Sequence, residues 1–191
     1  MLVLEFVSTV RATRSGPVDG LSDTEGTTAW CRSHAAELGL PSDFTASEEL
    51  RREVVELRQA VRALFARAVA PGPASRADAG RLPGFAAALG LVNAAALAVP
   101  MAPRLEWPDD GVPVTANVPA GEAEESARVR AVLAGAAIEF LAGPDRERLR
   151  SCLAPPCVRY FVKEHPRQEW CSVSCGNRAR AARHYLRHKA H

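Results

Sequence analysis

Apolar residues recur at intervals of three and four along residues 50–68, which is the clearest hydrophobic pattern in the chain. The stripe consists of Leu50, Val54, Leu57, Val61, Leu64 and Ala68. Because this spacing places the side chains on one face of an α-helix, the segment predicts an amphipathic helix with one buried side. Thr45 followed by Glu48 predicts its N-terminal cap, and Pro71-Gly72-Pro73 predicts its end.

Patterns on the N-terminal side of this segment predict two more helices. The opening segment is apolar at Leu2, Leu4, Phe6, Val7 and Val10. Its spacing suits a helix or a strand, and we favour a helix. Ser22 followed by Glu25 indicates a capping box in front of a helix that runs through Trp30 and ends near Gly39.

Segments on the C-terminal side predict further helices and one β-hairpin. The alanine-rich run 85–102 suits a closely packed helix, and the glutamates of 122–125 suit the N-terminus of a helix that ends at Gly143. Asp145–Arg150 predicts a short connecting helix. Residues 104–107 and 112–118, separated by a segment that contains Asp110-Gly111, predict a short hairpin.

These elements predict a mainly α protein of the α+β class. We expect a helical N-terminal domain with a short β-hairpin over residues 1–143. A small C-terminal metal module over residues 144–191 follows and ends in a helix. The chain has 47% apolar and 24% charged residues, a composition typical of a globular protein.

Charge is distributed unevenly along the chain. Residues 151–191 hold eight Lys/Arg and two Glu, a net charge of +6, whereas residues 1–150 hold sixteen Lys/Arg and twenty Asp/Glu, a net charge of −4. A basic segment of this kind prefers a polyanionic partner such as DNA. The opening segment lacks a basic start, and the apolar run 85–102 is mostly alanine, so we expect no membrane partner and a cytoplasmic location.

Four cysteines near the C-terminus form two close pairs, and they are Cys152, Cys157, Cys171 and Cys175. Four thiolates can surround one Zn²⁺ tetrahedrally at about 2.3 Å, and a segment with few large apolar side chains needs such a staple. Two disulfides, four free thiols and an iron–sulfur cluster are the alternatives. The pairing, the basic flanks and the expected compartment favour one structural zinc ion per chain. Cys31 stands apart, and we expect it to be an unpaired thiol.

The segment after the last cysteine predicts a basic helix. Arg180, Arg183 and Arg187 recur at intervals of three and four, so they project from one face, and Asn177, Arg178 and Lys189 lie in the same segment. Such a face suits contact with DNA. Arg178 has an alternative role at the sulfur atoms. For the helix as a whole, a solvated tail, a dimer contact, RNA or an acidic protein partner are the alternatives.

Histidines offer two further metal-site hypotheses that we do not favour. His184, His188 and His191 have helical spacing, but their neighbours are basic and no acid or thiol lies nearby in sequence. His165 could replace a cysteine ligand, although four cysteines already suffice for one zinc ion.

The N-terminal segment offers no clear catalytic group. Cys31 precedes His34 by three residues, but no acid that would orient such a pair is evident in the sequence, so we predict that the protein is not an enzyme. We expect instead a domain that binds a small ligand between apolar helix faces, with Phe6, Trp30 and Asn93 as candidate contacts.

Two motifs resemble known families. Residues 170–172 and the run Cys175-Gly176-Asn177-Arg178-Ala179-Arg180 resemble the CGNR zinc finger, and Tyr160-Phe161 matches its aromatic pair. Residues 4–10, together with Asp19 and Trp30, resemble the opening of the helical ABATE domain, with Glu5 and Ser8 in place of Asp and Asn.

The resemblance implies a bacterial transcription regulator. In such a protein the four cysteines bind zinc, the finger binds DNA, and the N-terminal domain binds an unknown stress-related ligand. Paired DNA half-sites would suit a homodimer.

Overall fold

The computed structural model describes residues 1–13, 16–78 and 80–189. Its helices are α1 (Leu2–Val7), α2 (Thr24–Ser33), α3 (Ala35–Leu38), α4 (Glu48–Ala68), α5 (Phe85–Leu97), α6 (Glu125–Ala142) and α7 (Val173–Lys189). Short 3₁₀ turns occupy Arg76–Asp78 and Pro144–Arg148. Three antiparallel strand pairs complete the fold: β1 (Val10–Thr13) with β2 (Gly16–Asp19), β3 (Met101–Glu106) with β4 (Val114–Pro119), and β5 (Leu149–Ser151) with β6 (Tyr160–Val162). The predicted α+β class is confirmed.

Helix α4 lies at the centre of the hydrophobic core, as its apolar stripe predicts. Its buried residues include Leu50, Val54, Leu57, Val61 and Phe65, and the helix packs against α1, α5 and α6. The predicted cap at Thr45 is wrong. Ser47 caps the helix instead, because its side chain accepts a hydrogen bond from the Leu50 backbone N–H at 3.1 Å.

Helix α2 also begins one residue later than the capping box predicts. Asp23, not Ser22, is the N-cap, and its carboxylate accepts a hydrogen bond from the Gly26 N–H at 2.7 Å. A carboxylate accepts more strongly than a hydroxyl at the positive end of the helix dipole. Gly26 is required there, since a Cβ would lie 2.5 Å from the Gly20 carbonyl oxygen.

The apolar opening segment divides between two kinds of structure. The favoured helix is confirmed for Leu2–Val7, but Val10 begins strand β1, which pairs with β2 in the register Val10↔Asp19. The predicted hairpin is confirmed at β3–β4, although β3 begins earlier, at Met101, where it pairs with Pro119.

The predicted short connecting helix over 145–150 is present as a 3₁₀ helix over Pro144–Arg148, which is shorter than predicted because a strand pair follows it. The 3₁₀ turn ends at Arg148, and Leu149 enters β5. Leu149 and Tyr160 are buried in the same core as α4 and α6, so one core continues past residue 143. The domain boundary at that residue stays a prediction. In the described residues, every helix is too short or too polar to cross a membrane.

Candidate metal centre and nucleic-acid interface

The four predicted cysteines converge on one point. The β5–β6 connection carries Cys152 and Cys157, while Cys171 precedes α7 and Cys175 lies in its first turn. Their Sγ atoms all lie within 4.8 Å of one another. The Cys157–Cys171 and Cys171–Cys175 Sγ separations are 3.7 Å and 3.4 Å. Bonds of about 2.3 Å around a tetrahedral Zn²⁺ require edges of about 3.8 Å, so this donor set fits zinc.

Backbone hydrogen bonds hold the metal-site loops. The Cys152 N–H donates to the Arg159 carbonyl at 2.8 Å, and the Cys157 N–H donates to the Ala154 carbonyl at 2.6 Å. The Cys175 N–H donates to Ser172 Oγ at 3.2 Å. A small core of Ala154, Phe161, Ala179 and Trp170 surrounds the sulfur atoms. All five cysteines are free of disulfides, as expected for Cys31, which is buried.

The close packing of the sulfur atoms makes the site favourable for a divalent cation. Hydrogen bonds from Cys157 and Cys171 lower the pKa of Cys152, and the Cys152 sulfur in turn raises the pKa of Cys157 and Cys171. These three cysteines therefore accommodate one negative charge readily and oppose a second. Zinc offsets this repulsion when it binds the thiolates.

Arg178 is exposed on α7 and also contacts the metal site. Its Nη2 donates a hydrogen bond to Cys175 Sγ at 2.8 Å, and this contact raises the pKa of the guanidinium. Hydrogen bonds from a cation to a sulfur ligand stabilise the charge on that sulfur. The geometry thus favours the alternative role of Arg178 at the sulfur atoms.

The predicted basic helix is α7, and it begins four residues before Asn177. Asn177, Arg180, Arg183 and Arg187 are all exposed, while Ala179 is buried against the metal site. Arg180 donates to Asn177 Oδ1 at 2.5 Å, and the Arg183 guanidinium lies 5.9 Å from the centre of the Trp170 ring. The Lys189 side chain lies outside the described part of the chain.

The candidate second metal site falls largely beyond what the structure describes. His191 and the side chain of His188 lie outside the described residues, and His184 is exposed on α7. His165 is exposed in the loop between the cysteine pairs.

Comparison with protein families gives two matches. Residues 1–144 match the model of ABATE, described as a putative stress-induced transcription regulator. The chain belongs to the ABATE family. Residues 148–188 match the CGNR zinc finger, and the four clustered cysteines are positioned to bind one zinc ion. A search of curated proteins found no match.

The candidate ligand contacts occupy different environments in this ABATE protein. Phe6 is fully buried in the core, and its ring centre lies 5.5 Å from that of Trp30. Asn93 is exposed on α5. The structure brings the two aromatic rings together, and a ligand-binding role for the three residues stays a prediction.

Cys31 and His34 contact different groups in the ABATE segment. Burial raises the pKa of Cys31 to about 11, which makes its thiol a poor nucleophile. His34 Nε2 lies 2.7 Å from Glu5 Oε2, and its Nδ1 lies 2.9 Å from the Trp30 carbonyl oxygen. The imidazole is therefore engaged by the opening helix and by its own helix.

A buried polar network joins the ABATE segment to the CGNR finger, and the sequence reasoning missed it. Arg62 Nε donates to Asp78 Oδ1 at 2.6 Å, and the Tyr160 hydroxyl donates to Asp78 Oδ2 at 2.7 Å. Both members of the ion pair are only 3% exposed. Ser75 Oγ donates to the carbonyl of Val158 at 2.7 Å. The position of Arg62 directly after Val61 of the apolar stripe was a signal in the sequence that this arginine could be buried.

Proposed function

We propose that this ABATE-family protein is a transcription regulator rather than an enzyme. It binds DNA through α7 of its CGNR finger and senses a small ligand through residues 1–144. The family matches and the four-cysteine site support the regulatory role. The observation that carries the DNA-binding part is the exposed set Arg180, Arg183 and Arg187 on one face of α7.

Zinc gives this face a fixed position. Because Cys175 is both a metal ligand and part of the first turn of α7, coordination fixes the start of the helix against the finger. The arginines then approach the phosphates as a preorganised set, which lowers the conformational entropy lost on binding. The surplus of basic residues in the C-terminal segment adds long-range attraction to DNA.

The salt dependence of binding tests the proposal. Each arginine that neutralises a phosphate contributes about −0.9 to the slope of log affinity against log salt concentration. We expect a slope of about −3 or steeper for the native protein in a gel-shift series on duplex DNA. The variant R180A/R183A/R187A should bind more weakly, with a slope flatter by about 2.7.

A matched variant separates the helix from net charge. R11A/R52A/R104A removes three exposed arginines from the N-terminal segment and should retain the native slope. Equal losses of DNA affinity in the two triple variants would refute the DNA-binding role of α7. A salt slope near zero for the native protein would refute it as well. If the protein bound RNA or an acidic protein but not duplex DNA, that partner would replace DNA in the proposed function.

A further inference from the structure

A cavity of about 630 Å³ lies where the ABATE segment meets the CGNR finger. The β1–β2 pair, helix α4 and the 3₁₀ turn at Arg76–Asp78 supply most of its lining, and Pro156 and Val158 supply the finger side. Apolar wall residues include Val10, Ala12, Val18, Leu82 and Val158. This volume lies in the range typical of small-molecule sites.

Two of the four arginines that line the cavity have carboxylate partners. Arg58 binds Asp19 through two hydrogen bonds of 2.5 Å and 2.6 Å, and Arg62 is paired with Asp78. Although burial opposes ionisation, hydrogen bonds from Arg58 and the Leu21 N–H lower the pKa of Asp19, so its carboxylate stays ionised beside Arg58. The paired charges cancel locally.

The other two arginines, Arg76 and Arg81, are exposed, and neither has a carboxylate partner among the described residues. Arg76 donates only to the Leu153 carbonyl at 3.3 Å, and the guanidinium of Arg81 has no hydrogen bond or ion pair in the described part of the chain. The lining therefore carries four arginines against two aspartates. Apolar walls with two such cations suit an amphipathic anion rather than a neutral or cationic molecule.

We infer that this cavity binds a small organic acid, with its apolar body against the cavity walls and its acidic group at Arg76 and Arg81. The inference rests on the proposed sensing function and gives it a site and a ligand class. Pro156 and Val158 flank the zinc ligand Cys157. A bound acid thus contacts the loop that holds a metal ligand, which provides a direct route from ligand to finger.

Ligand-observed NMR on the zinc-loaded full chain tests the site. The probes are hexanoate, its neutral counterpart hexanamide, and hexyl phosphate, which separates a carboxylate from a phosphate preference. We expect at least one acid to bind and hexanamide to bind about tenfold more weakly or not at all. Binding of hexanamide as tight as that of both acids, or no binding by any probe, would overturn the inference.

Two variants locate the binding. R81Q should weaken acid binding by about fivefold to tenfold, whereas R52Q, which removes an exposed arginine of α4 outside the cavity lining, should leave it unchanged. A12W should fill the cavity and abolish binding. Equal effects of R81Q and R52Q, or full binding to a folded A12W variant, would place the acid elsewhere. All binding is measured without DNA, so failure of the salt series and failure of this inference are distinguishable.

Discussion

His34 shows how one residue can be held by both its own helix and a distant one. Its ring stacks on Trp30 with centroids 4.4 Å apart, and its Nε2 contacts the carboxylate of Glu5. Burial opposes protonation, but hydrogen bonds to the Trp30 carbonyl and Glu5 outweigh it and raise the pKa of His34. The hydrogen bond from His34 lowers the pKa of Glu5. The pair therefore ties α1 to the end of α2 most strongly when both groups are charged.

The pH dependence of stability should report this ion pair. The raised pKa of His34 adds a contribution to the free energy of unfolding. This contribution is complete below pH 6.5, the ordinary pKa of histidine, and is lost as the pH rises through the folded-state pKa of His34. The lowered pKa of Glu5 adds a second contribution to the free energy of unfolding, which is complete above pH 4.5 and is lost as the pH falls through the folded-state pKa of Glu5. The free energy of unfolding of H34Q relative to the native protein should therefore show its largest deficit between these values.

Urea denaturation of the native protein and H34Q at about pH 6 and about pH 8.5 measures the difference. The pH-dependent part of the deficit should be about 0.5 kcal/mol, because half of Glu5 is exposed to solvent. H165Q, which alters an exposed histidine, should show no such change. A deficit for H34Q that is equal at both pH values would contradict the charged pair and leave only the stacking and the hydrogen bond to Trp30.

At the scale of the element, the first turn of α7 is constrained by a glycine. A Cβ added at Gly176 would lie 3.1 Å from Cδ1 of Trp170 and 3.5 Å from a guanidinium nitrogen of Arg180. The absence of a side chain therefore lets the indole lie against the helix beside the metal site. This close approach explains why the turn uses a residue that ordinarily weakens helices.

Replacing two helical glycines by alanine should give opposite results. G176A should destabilise the protein by about 0.5–1 kcal/mol, since the cost of displacing Trp170 exceeds the usual gain in helix propensity. G90A should stabilise it by about 0.5–1 kcal/mol, because Gly90 is exposed and the added Cβ would meet no atom within 4 Å beyond its chain neighbours and the nearby backbone of its own helix. Thermal denaturation of the zinc-loaded proteins checks both. A stabilised G176A would show that the indole adapts at no cost.

Elements with a strong local signal could be predicted from the sequence, and those that depend on distant partners could not. The stripe of α4 and the paired cysteines needed no knowledge of the fold. The predicted caps were wrong because Ser22 is adjacent to Asp23 and Thr45 lies two residues from Ser47, and only the backbone path selects between two such close candidates. Strands β5 and β6 have three residues each, which is too few for alternation to be visible.

At the scale of the molecule, the contacts of Arg62 are the main feature that could not be predicted from the sequence pattern. Asp78 is 16 positions from Arg62 and 82 positions from Tyr160, so no local spacing relates the three. Arg62 also donates to the carbonyl oxygens of Val7 and Val158. One side chain thus connects α1, the 3₁₀ turn and the zinc-binding loop.

Removing this connection should weaken the whole protein rather than one part. R62M leaves the Asp78 carboxylate buried without its cation, which should cost about 3 kcal/mol of unfolding free energy. R52M, on an exposed position of the same helix, should cost less than about 0.5 kcal/mol. Tryptophan fluorescence and zinc release should follow one urea transition in both proteins. Separate transitions in the native protein, or equal losses of unfolding free energy in R62M and R52M, would contradict the prediction that the two parts unfold as one cooperative unit.

The core that Leu149 and Tyr160 share with α4 and α6 limits how the finger can be transplanted. A graft that carried only the four cysteines and α7 into another scaffold would expose apolar residues that the rest of the protein covers. The Tyr160 hydroxyl would also lose its acceptor, Asp78. A functional chimera must therefore bring along the receiving surface, namely α4 and the Asp78 turn. Recombination that exchanged fingers between members of this family would meet the same requirement.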